Sequence, residues 1–388
     1  MYRLFAVTLP GLESFARQEL ADLNLVLPAQ PSPESDLETG GGVEFEGSLT
    51  DLYRANLHLR TANRIIARLG ELDAISFLEL RKKAARLPWE EFIRPGQPVA
   101  LRVTCHKSRL YHSDGVAERV AGAISDRLKK PIERVKADEE ELQSPQLVTV
   151  RFVNDHAVIS VDTSGALLHR RGYRLETAKA PLRETLAAGL LLASGWNRQS
   201  TLLDPFCGSG TIAIEAALLA RRIAPGKNRR FVFMDWPNFN ETLWYAQLEA
   251  AAAAEIPLVA PILASDRDAG AIRISQSNAE RAGVADSLQL TCCAVSAIQP
   301  PEGSGWVVTN PPYGVRVSTT KDLRNLYAQF GNVLAQLCPG WKVGFLCNSD
   351  YMAGYTRIKF DEKRPLVNGG IPVRFYQGRV LSEGQHKG

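Results

Sequence analysis

The sequence Asn310-Pro311-Pro312-Tyr313 directly follows the apolar run 306–309 and carries the most specific chemistry of the chain. At the end of a strand, the Asn310 side-chain oxygen and the Pro311 carbonyl could accept both hydrogens of an exocyclic amine on a planar base. Such bonds would localise the nitrogen lone pair, and the prolines fix the backbone that presents them. Tyr313 could stack on the base, a contact that typically contributes about 1 to 3 kcal/mol. The motif therefore predicts an amine-activating site, although Asn-Pro-Pro by itself also marks ordinary loops.

A glycine-rich turn upstream of this motif has the pattern of a nucleotide-like ligand site. The segment LLDPFCGSGT, residues 202–211, runs into an apolar stretch that continues to Ala220, which predicts strand, turn and helix. Glycines let a ligand approach the backbone, and the helix offers free N–H groups. A second predicted strand, 259–264, leads into Ser265-Asp266-Arg267-Asp268, where an acid could bind a ribose diol.

Three nucleotide ligands compete for this turn. Gly208, Gly210 and Ala213 match the dinucleotide fingerprint, but the partner acid lies much farther on than the usual distance of about 20 residues. A phosphate-binding P-loop would need Gly-Lys-Ser/Thr, which this segment lacks. S-adenosylmethionine has no phosphate, so Asp204 could face its cationic end and Asp266 its ribose. The residues favour S-adenosylmethionine.

Several segments together resemble the THUMP-containing RNA guanine methyltransferases of class I. They are, in chain order, LHRRGYR (168–174), APLRETLAAGLL (180–191), DPFCGSGTIAIEAA (204–217), FVFMDWPNFNETLW (231–244), ASDRDAGAIRISQSNAERAGV (264–284), VVTNPPYGVRV (307–317) and NGGIPVRFYQGR (368–379). The resemblance extends from about Leu168 to the C-terminus. It implies methyl transfer from S-adenosylmethionine to the 2-amino group of a guanosine in structured RNA. The members that look closest act on 23S ribosomal RNA, and others act on transfer RNA.

The resemblance also implies roles for individual residues. The catalytic positions would be Asn310, Pro311, Pro312 and Tyr313, and the cofactor positions would be Thr185, Asp204, Phe206, Gly208, Gly210, Asp266 and Asp268. Pro181 to Thr185 would cover the cofactor. Many relatives carry an Asp for the cofactor adenine after the third strand, 287–291, whereas this chain has Cys292-Cys293-Ala294. A thiol is a weak acceptor, so the adenine contact stays unassigned.

Two other functions stay open. Asn-Pro-Pro-Tyr also serves methylation of the adenine 6-amino group in DNA or RNA, although no recognition helix or target-recognition extension favours a DNA enzyme. A non-catalytic RNA chaperone or assembly factor could retain the same cofactor fold. The intact glycine turn, Asp266 and the full Asn310–Tyr313 motif favour an enzyme over this alternative.

Basic residues occur in local clusters, whereas the net charge of +4 is only mildly basic. Such clusters can bind phosphates without sequence preference, or they can be solvated helix faces. One cluster lies beside the proposed cofactor segment, and we predict that it contacts RNA through His169, Arg170, Arg171, Tyr173 and Arg174.

The predicted fold class is α/β, with a Rossmann-like class I methyltransferase sheet after an N-terminal α+β module. The N-terminal half has alternating strand and helix patterns that resemble a ferredoxin-like piece followed by a THUMP domain. We predict a ferredoxin-like piece at 1–60, a THUMP RNA-binding domain at 61–165 and a catalytic domain at 166–388.

The sequence also lacks the patterns of a zinc site, a signal peptide and a membrane-spanning segment. The six cysteines have no zinc-type spacing, and we expect no metal. The first residues alternate like a strand rather than a signal peptide, and no apolar run approaches 18 residues. We therefore expect a cytoplasmic protein that binds RNA but no membrane, and a monomer.

Overall fold

A computed structural model describes residues 1–27, 41–136, 145–174, 182–313 and 320–381, without the side chains of 320–322. Of the sequence features above, Ala180, Pro181 and residues 314–317 lie outside these ranges. The chain forms two compact units. Unit 1 comprises Met1–Thr8, Ala16–Leu168 and Gly226–Ala250, and unit 2 comprises Leu9–Phe15, His169–Pro225 and Ala251–Gly388.

Unit 1 contains a seven-stranded mixed sheet with helices between its strands. Its strands are β1 (Tyr2–Thr8), β2 (Gly42–Gly47), β3 (Ala62–Asp73), β4 (Val99–His106), β5 (Arg134–Val135), β6 (Gln146–Val153) and β7 (His156–Asp162), in the spatial order β2-β1-β3-β7-β6-β4-β5. The described helices of this part of the chain are α1 (Glu13–Asp22), α2 (Leu49–His58), α3 (Phe77–Ala84) and α4 (Ser113–Leu128).

The N-terminal half contains alternating strands and helices, as its sequence patterns predict. The strand β3 is an addition, because the sequence analysis recognised no strand in that stretch. This strand pairs with both β1 and β7, so it joins the two halves of the sheet. Its first six residues are all buried, which removes the in-and-out alternation that marks a half-exposed strand. A capping box between Ser48 and Asp51 fixes the start of α2, since each side chain accepts a hydrogen bond from the other residue's backbone N–H.

Residues 226–250 belong to unit 1 although they lie within the catalytic half of the sequence. Their aromatic side chains surround Tyr53 of α2. The Tyr53 ring stacks on Phe233 at 4.6 Å between centroids and meets Trp244 edge to face at 5.9 Å. Trp236 is fully buried, and its indole N–H donates to the Gln146 side chain over 2.7 Å. This segment supplies part of the core of unit 1.

Unit 2 contains the predicted Rossmann-like sheet. Its strands are β8 (Thr201–Asp204), β9 (Ile262–Asp266), β10 (Leu288–Cys292), β11 (Gly305–Thr309), β12 (Lys342–Cys347), β13 (Lys359–Asn368) and β14 (Ile371–Arg379). The spatial order is β10-β9-β8-β11-β12-β14-β13, in which β14 alone runs opposite to the other six strands. The fold class predicted from the sequence is confirmed.

The remaining described α-helices lie between residues 184 and 354, and of these residues 241–250 belong to unit 1. They are α5 (Glu184–Ala193), α6 (Thr211–Ala220), α7 (Glu241–Ala253), α8 (Ala269–Ala282), α9 (Thr320–Leu337) and α10 (Asp350–Gly354). Every residue of α6 is buried, which agrees with its nearly uniform apolar sequence. In the described part of the chain, no helix has both the length and the apolar character needed to cross a membrane.

Candidate active site

The carboxyl ends of β8, β9 and β11 form the edge of the sheet where the predicted motifs meet. The glycine turn follows β8, Asp266 ends β9 and Asn310 follows β11, with β8 between the other two strands. A cavity of about 570 Å³ opens there. Its lining consists of Pro205, Phe206, Gly208, Asp266, Arg267, Ala294, Val295, Asn310, Pro311, Pro312, Asn325, Leu326 and Gln329. The fold therefore brings both sequence motifs to one cavity, as parallel sheets do at such an edge.

The glycine turn depends on backbone conformations that favour glycine. Gly208 and Gly210 have φ values of 53° and 80°. A Cβ at Gly208 would meet no atom within 4 Å, whereas one at Gly210 would lie 3.1 Å from the Ser275 side chain. The Ser275 hydroxyl also donates to the Gly208 carbonyl over 2.7 Å, so α8 stabilises the turn through this hydrogen bond. Gly208 lines the cavity and has open space at its Cβ position, and Gly210 allows close packing.

Asp266 is tied to the turn by its own side chain. Its Oδ2 accepts the Gly208 N–H over 3.0 Å, and its Oδ1 accepts the Asp268 N–H over 3.0 Å. Each carboxylate oxygen has further lone-pair capacity, so the group can still accept hydroxyl donors from the cavity. Asp268 does not line the cavity; its Oδ1 accepts the Gly270 N–H over 2.7 Å and caps α8.

Asp204 is buried and links two strands. Its Oδ1 accepts the Thr309 hydroxyl over 2.5 Å and the Phe206 N–H over 3.3 Å. Burial raises the pKa of its carboxyl to about 7, and the charge of Asp266 adds to this effect. Asp204 is absent from the cavity lining, which differs from the expectation that it faces a ligand. Because Thr309 precedes Asn310, the Asp204 contact sets the position of Asn310 relative to the glycine turn.

The first three residues of the Asn-Pro-Pro-Tyr motif line the cavity, whereas its tyrosine lies in the core. Asn310 Oδ1 is buried and has no hydrogen-bond partner among the residues that the structure describes. Pro311 and Pro312 line the cavity, and the Pro312 carbonyl accepts the Tyr327 hydroxyl over 3.3 Å. Tyr313 is only 3% exposed. An orphaned acceptor in a cavity wall suits a ligand with an N–H donor.

The position of Tyr313 differs from the predicted stacking ring. Its hydroxyl accepts a hydrogen bond from Asn368 Nδ2 over 2.6 Å, and the ring is packed in the core of unit 2. A buried tyrosine needs such a polar partner for its hydroxyl, and Asn368 at the end of β13 supplies one. In this structure the motif therefore presents Asn310 and the prolines to the cavity, while Tyr313 anchors them.

The predicted RNA-contact segment is largely folded into unit 2. Arg171 is 4% exposed and lies 3.5 Å from Glu215, which also accepts the Tyr173 hydroxyl over 3.1 Å. Arg174 pairs with Glu184 at 3.0 Å. Buried cations require such partners. The structure thus places the side chains of Arg171 and Tyr173 inside the protein, which differs from the surface position expected for RNA contact.

His169 and Arg170 of this segment are half-buried. Burial, with the charges of Arg183, Arg171 and Arg170 next in importance, lowers the pKa of His169 to about 3. The sequence analysis missed the acids that pair with this segment, Glu184 and Glu215. A single acid within the apolar helix TIAIEAALLA was the available signal.

The other predicted cofactor residues have different surroundings. Phe206 lines the cavity and meets Phe330 edge to face at 5.4 Å. Thr185 is fully buried in α5. At the position where an adenine-binding acid was expected, the Cys293 N–H donates to the Asp266 carbonyl over 3.0 Å. The next two residues, Ala294 and Val295, line the cavity, and the sequence analysis had missed them.

Family models match three consecutive parts of the chain. Residues 3–66 match an RlmL ferredoxin-like domain and residues 74–162 match a THUMP domain. Residues 171–377 match an RMKL-like methyltransferase domain. The chain belongs to the RMKL-like methyltransferase family. The resemblance seen in the sequence motifs is thereby confirmed.

Relatives of this RMKL-like methyltransferase include proteins of similar length and longer proteins. "Putative RNA methyltransferase YpsC" of Bacillus subtilis is 36% identical over 97% of this chain and 95% of its own. "Ribosomal RNA large subunit methyltransferase K/L" of Methylococcus capsulatus is 35% identical over 99% of this chain. That match covers 52% of the longer protein, so the chain spans about half its length.

Two solved structures share the fold over nearly the whole chain. SMU.472, solved in complex with SAH, superposes with a TM-score of 0.85 at 29% identity and covers 98% of each chain. The "predicted N6-adenine-specific DNA methylase" of Listeria monocytogenes has a TM-score of 0.85 at 33% identity and covers 97% of this chain and 96% of its own.

Proposed function

We propose that this RMKL-like methyltransferase transfers a methyl group from S-adenosylmethionine to the 2-amino group of a guanosine in structured RNA, with 23S ribosomal RNA as the first candidate. The observation that carries the proposal is the buried Asn310 Oδ1 in the cavity wall, which lacks a partner among the described residues. An exocyclic amine would supply the missing donor. Relatives named as RNA methyltransferases and the match to a THUMP domain support RNA as the substrate class.

S-adenosylmethionine is the cofactor, and the residues at the edge of the sheet fit it. The Gly208 backbone leaves room for a ligand, and Asp266 can accept the ribose hydroxyls. Phe206, Ala294 and Val295 provide apolar walls. When bound, the cofactor supplies an electrophilic methyl group on a sulfonium. The structural relative solved with SAH, the demethylated product, supports this fit.

The residues of this chain would act on the base rather than on the methyl group. Asn310 Oδ1 and the Pro311 carbonyl would accept the two amine hydrogens and direct the nitrogen lone pair into the cavity. Thr309, bonded to Asp204, holds this strand end in position. Positioning of this kind accounts for a large share of many enzymatic rate enhancements. The amine proton would leave to water after attack.

Three alternatives compete with this proposal. The same acceptors would suit the adenine 6-amino group, and the Listeria relative carries a name of that kind. Transfer RNA is the second candidate substrate, since sequence resemblance extends to enzymes that act on it. A binding role without catalysis is less consistent with a cavity that joins the glycine turn, Asp266 and Asn310.

The test is incubation of the purified protein and labelled S-adenosylmethionine with bulk transfer RNA and with unmodified ribosomal RNA, followed by nucleoside mass spectrometry. We expect 2-methylguanosine from the ribosomal RNA pool. 6-Methyladenosine would instead assign the base as adenine. No product, despite cofactor binding measured by calorimetry, would contradict the proposed activity on these RNAs.

A further inference from the structure

A cluster of two tyrosines and one arginine in unit 2 presents one exposed ring, and the proposed mechanism does not use it. Tyr351 of α10 is 62% exposed, and its hydroxyl lies 2.6 Å from that of Tyr355. The two rings meet edge to face, with centroids 5.1 Å apart and planes at 86°. Arg324 of α9 lies near both tyrosines; after the contact between the two hydroxyls, it is the next cause that lowers the pKa of Tyr351. We name these three residues the tyrosine platform.

Helix α9 connects the tyrosine platform to the candidate active site. Arg324 immediately precedes Asn325, which lines the cavity together with Leu326 and Gln329. The Cα atoms of neighbouring residues are about 3.8 Å apart, so the arginine of the platform and a residue that lines the cavity are neighbours in one helix. The Tyr327 hydroxyl from the same helix donates to the Pro312 carbonyl over 3.3 Å. One helix therefore supports both the base-binding motif and the platform.

The short helix that carries Tyr351 is held in place by polar contacts. Its first residue, Asp350, accepts Lys363 Nζ and the Tyr376 hydroxyl over 3.0 Å each, and it also pairs with Arg374. Ser349 caps the helix by accepting the Met352 N–H over 3.3 Å. Such support reduces the conformational entropy that an exposed ring loses when a ligand stacks on it.

We propose that the tyrosine platform binds an unpaired nucleotide next to the target base, with its base on the Tyr351 ring and its phosphate at Arg324. This inference rests on the proposed RNA substrate. A guanidinium matches phosphate geometry, and base stacking on an exposed aromatic ring tolerates any base. Lys363 and Arg374 share the single carboxylate of Asp350, so these three side chains together keep a net positive charge, which favours a polyanion.

The test compares RNA affinities of the full chain with those of the Tyr351→Ala variant by fluorescence anisotropy. The probes are a labelled 12-nucleotide oligouridylate and a labelled 12-base-pair RNA duplex. We expect Tyr351→Ala to weaken oligouridylate binding about 5- to 100-fold, because one stacking contact is lost. Duplex affinity should change less than about twofold, since paired bases cannot reach the ring.

Matched variants separate stacking from structural damage. Tyr351→Phe keeps the ring and should bind like the original, and so should Tyr245→Ala, which removes a tyrosine that is 54% exposed in unit 1. Cofactor affinity by calorimetry reports whether each variant is folded. Should Tyr351→Ala fail to fold, Arg324→Gln replaces it; this change should lower the slope of log affinity against log salt by about one.

The outcomes distinguish this proposal from the proposed function. Unchanged oligouridylate affinity in Tyr351→Ala, or an equal loss for the duplex, would overturn the platform proposal even if 2-methylguanosine is formed. A selective loss of single-strand affinity would support the platform proposal even if no methylated product appears, because binding is measured without catalysis.

Discussion

Asn310 is the single residue on which the proposed chemistry most depends. Its Oδ1 is buried, and no described residue donates to it. A buried acceptor without a donor typically costs about 1 to 3 kcal/mol of stability. A protein can tolerate this loss of stability at a binding site, because a bound ligand restores the hydrogen bond. The position of Asn310 in the cavity wall makes an exocyclic amine a suitable donor.

Replacement of Asn310 by Ala should therefore impair turnover and leave cofactor binding intact. We expect kcat to fall by about 100-fold or more, the order of magnitude seen when one preorganised transition-state hydrogen bond is removed. The dissociation constant for S-adenosylmethionine, measured by calorimetry, should stay within about twofold. Asp266→Ala is the comparison variant and should have the opposite effect, because it should weaken cofactor binding first. Normal turnover in Asn310→Ala would rule out the assigned role.

The glycine turn combines two glycines with different tasks. Both have positive φ, but only Gly208 faces open space at its Cβ position, whereas Gly210 packs against Ser275. Left-handed backbone strain for a residue with a Cβ costs roughly 1 to 2 kcal/mol. A methyl group at these two positions should therefore have different consequences for binding and for stability.

We expect Gly208→Ala to weaken S-adenosylmethionine binding at least tenfold while the free energy of unfolding falls by only about 1 to 2 kcal/mol. Gly210→Ala should destabilise the protein more, because its Cβ would lie 3.1 Å from Ser275. Calorimetry and urea unfolding measure the two effects. If the two substitutions changed cofactor affinity equally and also changed the free energy of unfolding equally, the different roles assigned to Gly208 and Gly210 would be contradicted.

Two buried acids make the stability of unit 2 depend on pH. Burial raises the pKa of Asp204 to about 7 from an ordinary value of 3.8, and it raises that of Glu184 to about 7 from 4.5 against the opposing charge of Arg174. Between about pH 4 and 7, the folded protein thus retains protons that the unfolded chain has released. The stability contributed by these protonated acids is present at low pH and is lost as the pH rises through about 7.

Urea unfolding should therefore show a lower free energy of unfolding at pH 8 than at pH 5. A shift of 3 pKa units corresponds to roughly 4 kcal/mol per group at most, so a fall of a few kcal/mol is the expected scale. Asp204→Asn and Glu184→Gln should each reduce this fall. Asp286→Asn, in which the side chain is 81% exposed, is the control and should leave it unchanged. A fall of undiminished size in both test variants would contradict the explanation.

The path of the chain interleaves the two units. Residues 226–250 lie between α6 and β9 in sequence, yet they complete the aromatic core around Tyr53 in unit 1. Phe233 is fully buried there and stacks on both Tyr53 and Phe231. The stability of unit 1 therefore depends on a segment encoded within the catalytic half.

Replacement of Phe233 by Ala should lower the free energy of unfolding of unit 1 by about 3 to 5 kcal/mol, the usual cost of removing a buried ring. All residues that line the cavity belong to unit 2, so affinity for S-adenosylmethionine should stay within about twofold. Tyr245→Ala, at an exposed position in α7, should cost less than about 0.5 kcal/mol. Loss of cofactor affinity with unchanged stability would contradict this view.

The sequence by itself determined the Rossmann-like sheet and the motifs that meet at its edge, whereas it left β3 and the cavity residues Ala294 and Val295 unrecognised. Parallel strands place their carboxyl ends together, so a glycine turn after β8, Asp266 after β9 and Asn310 after β11 had to share one site. Only the folded chain decided which side chains reach the cavity. Arg171, Tyr173 and Tyr313 have the types expected for RNA contact, but Glu215 and Asn368 bind them internally. Such pairings join residues 42 to 55 positions apart in the chain, and no local spacing encodes them.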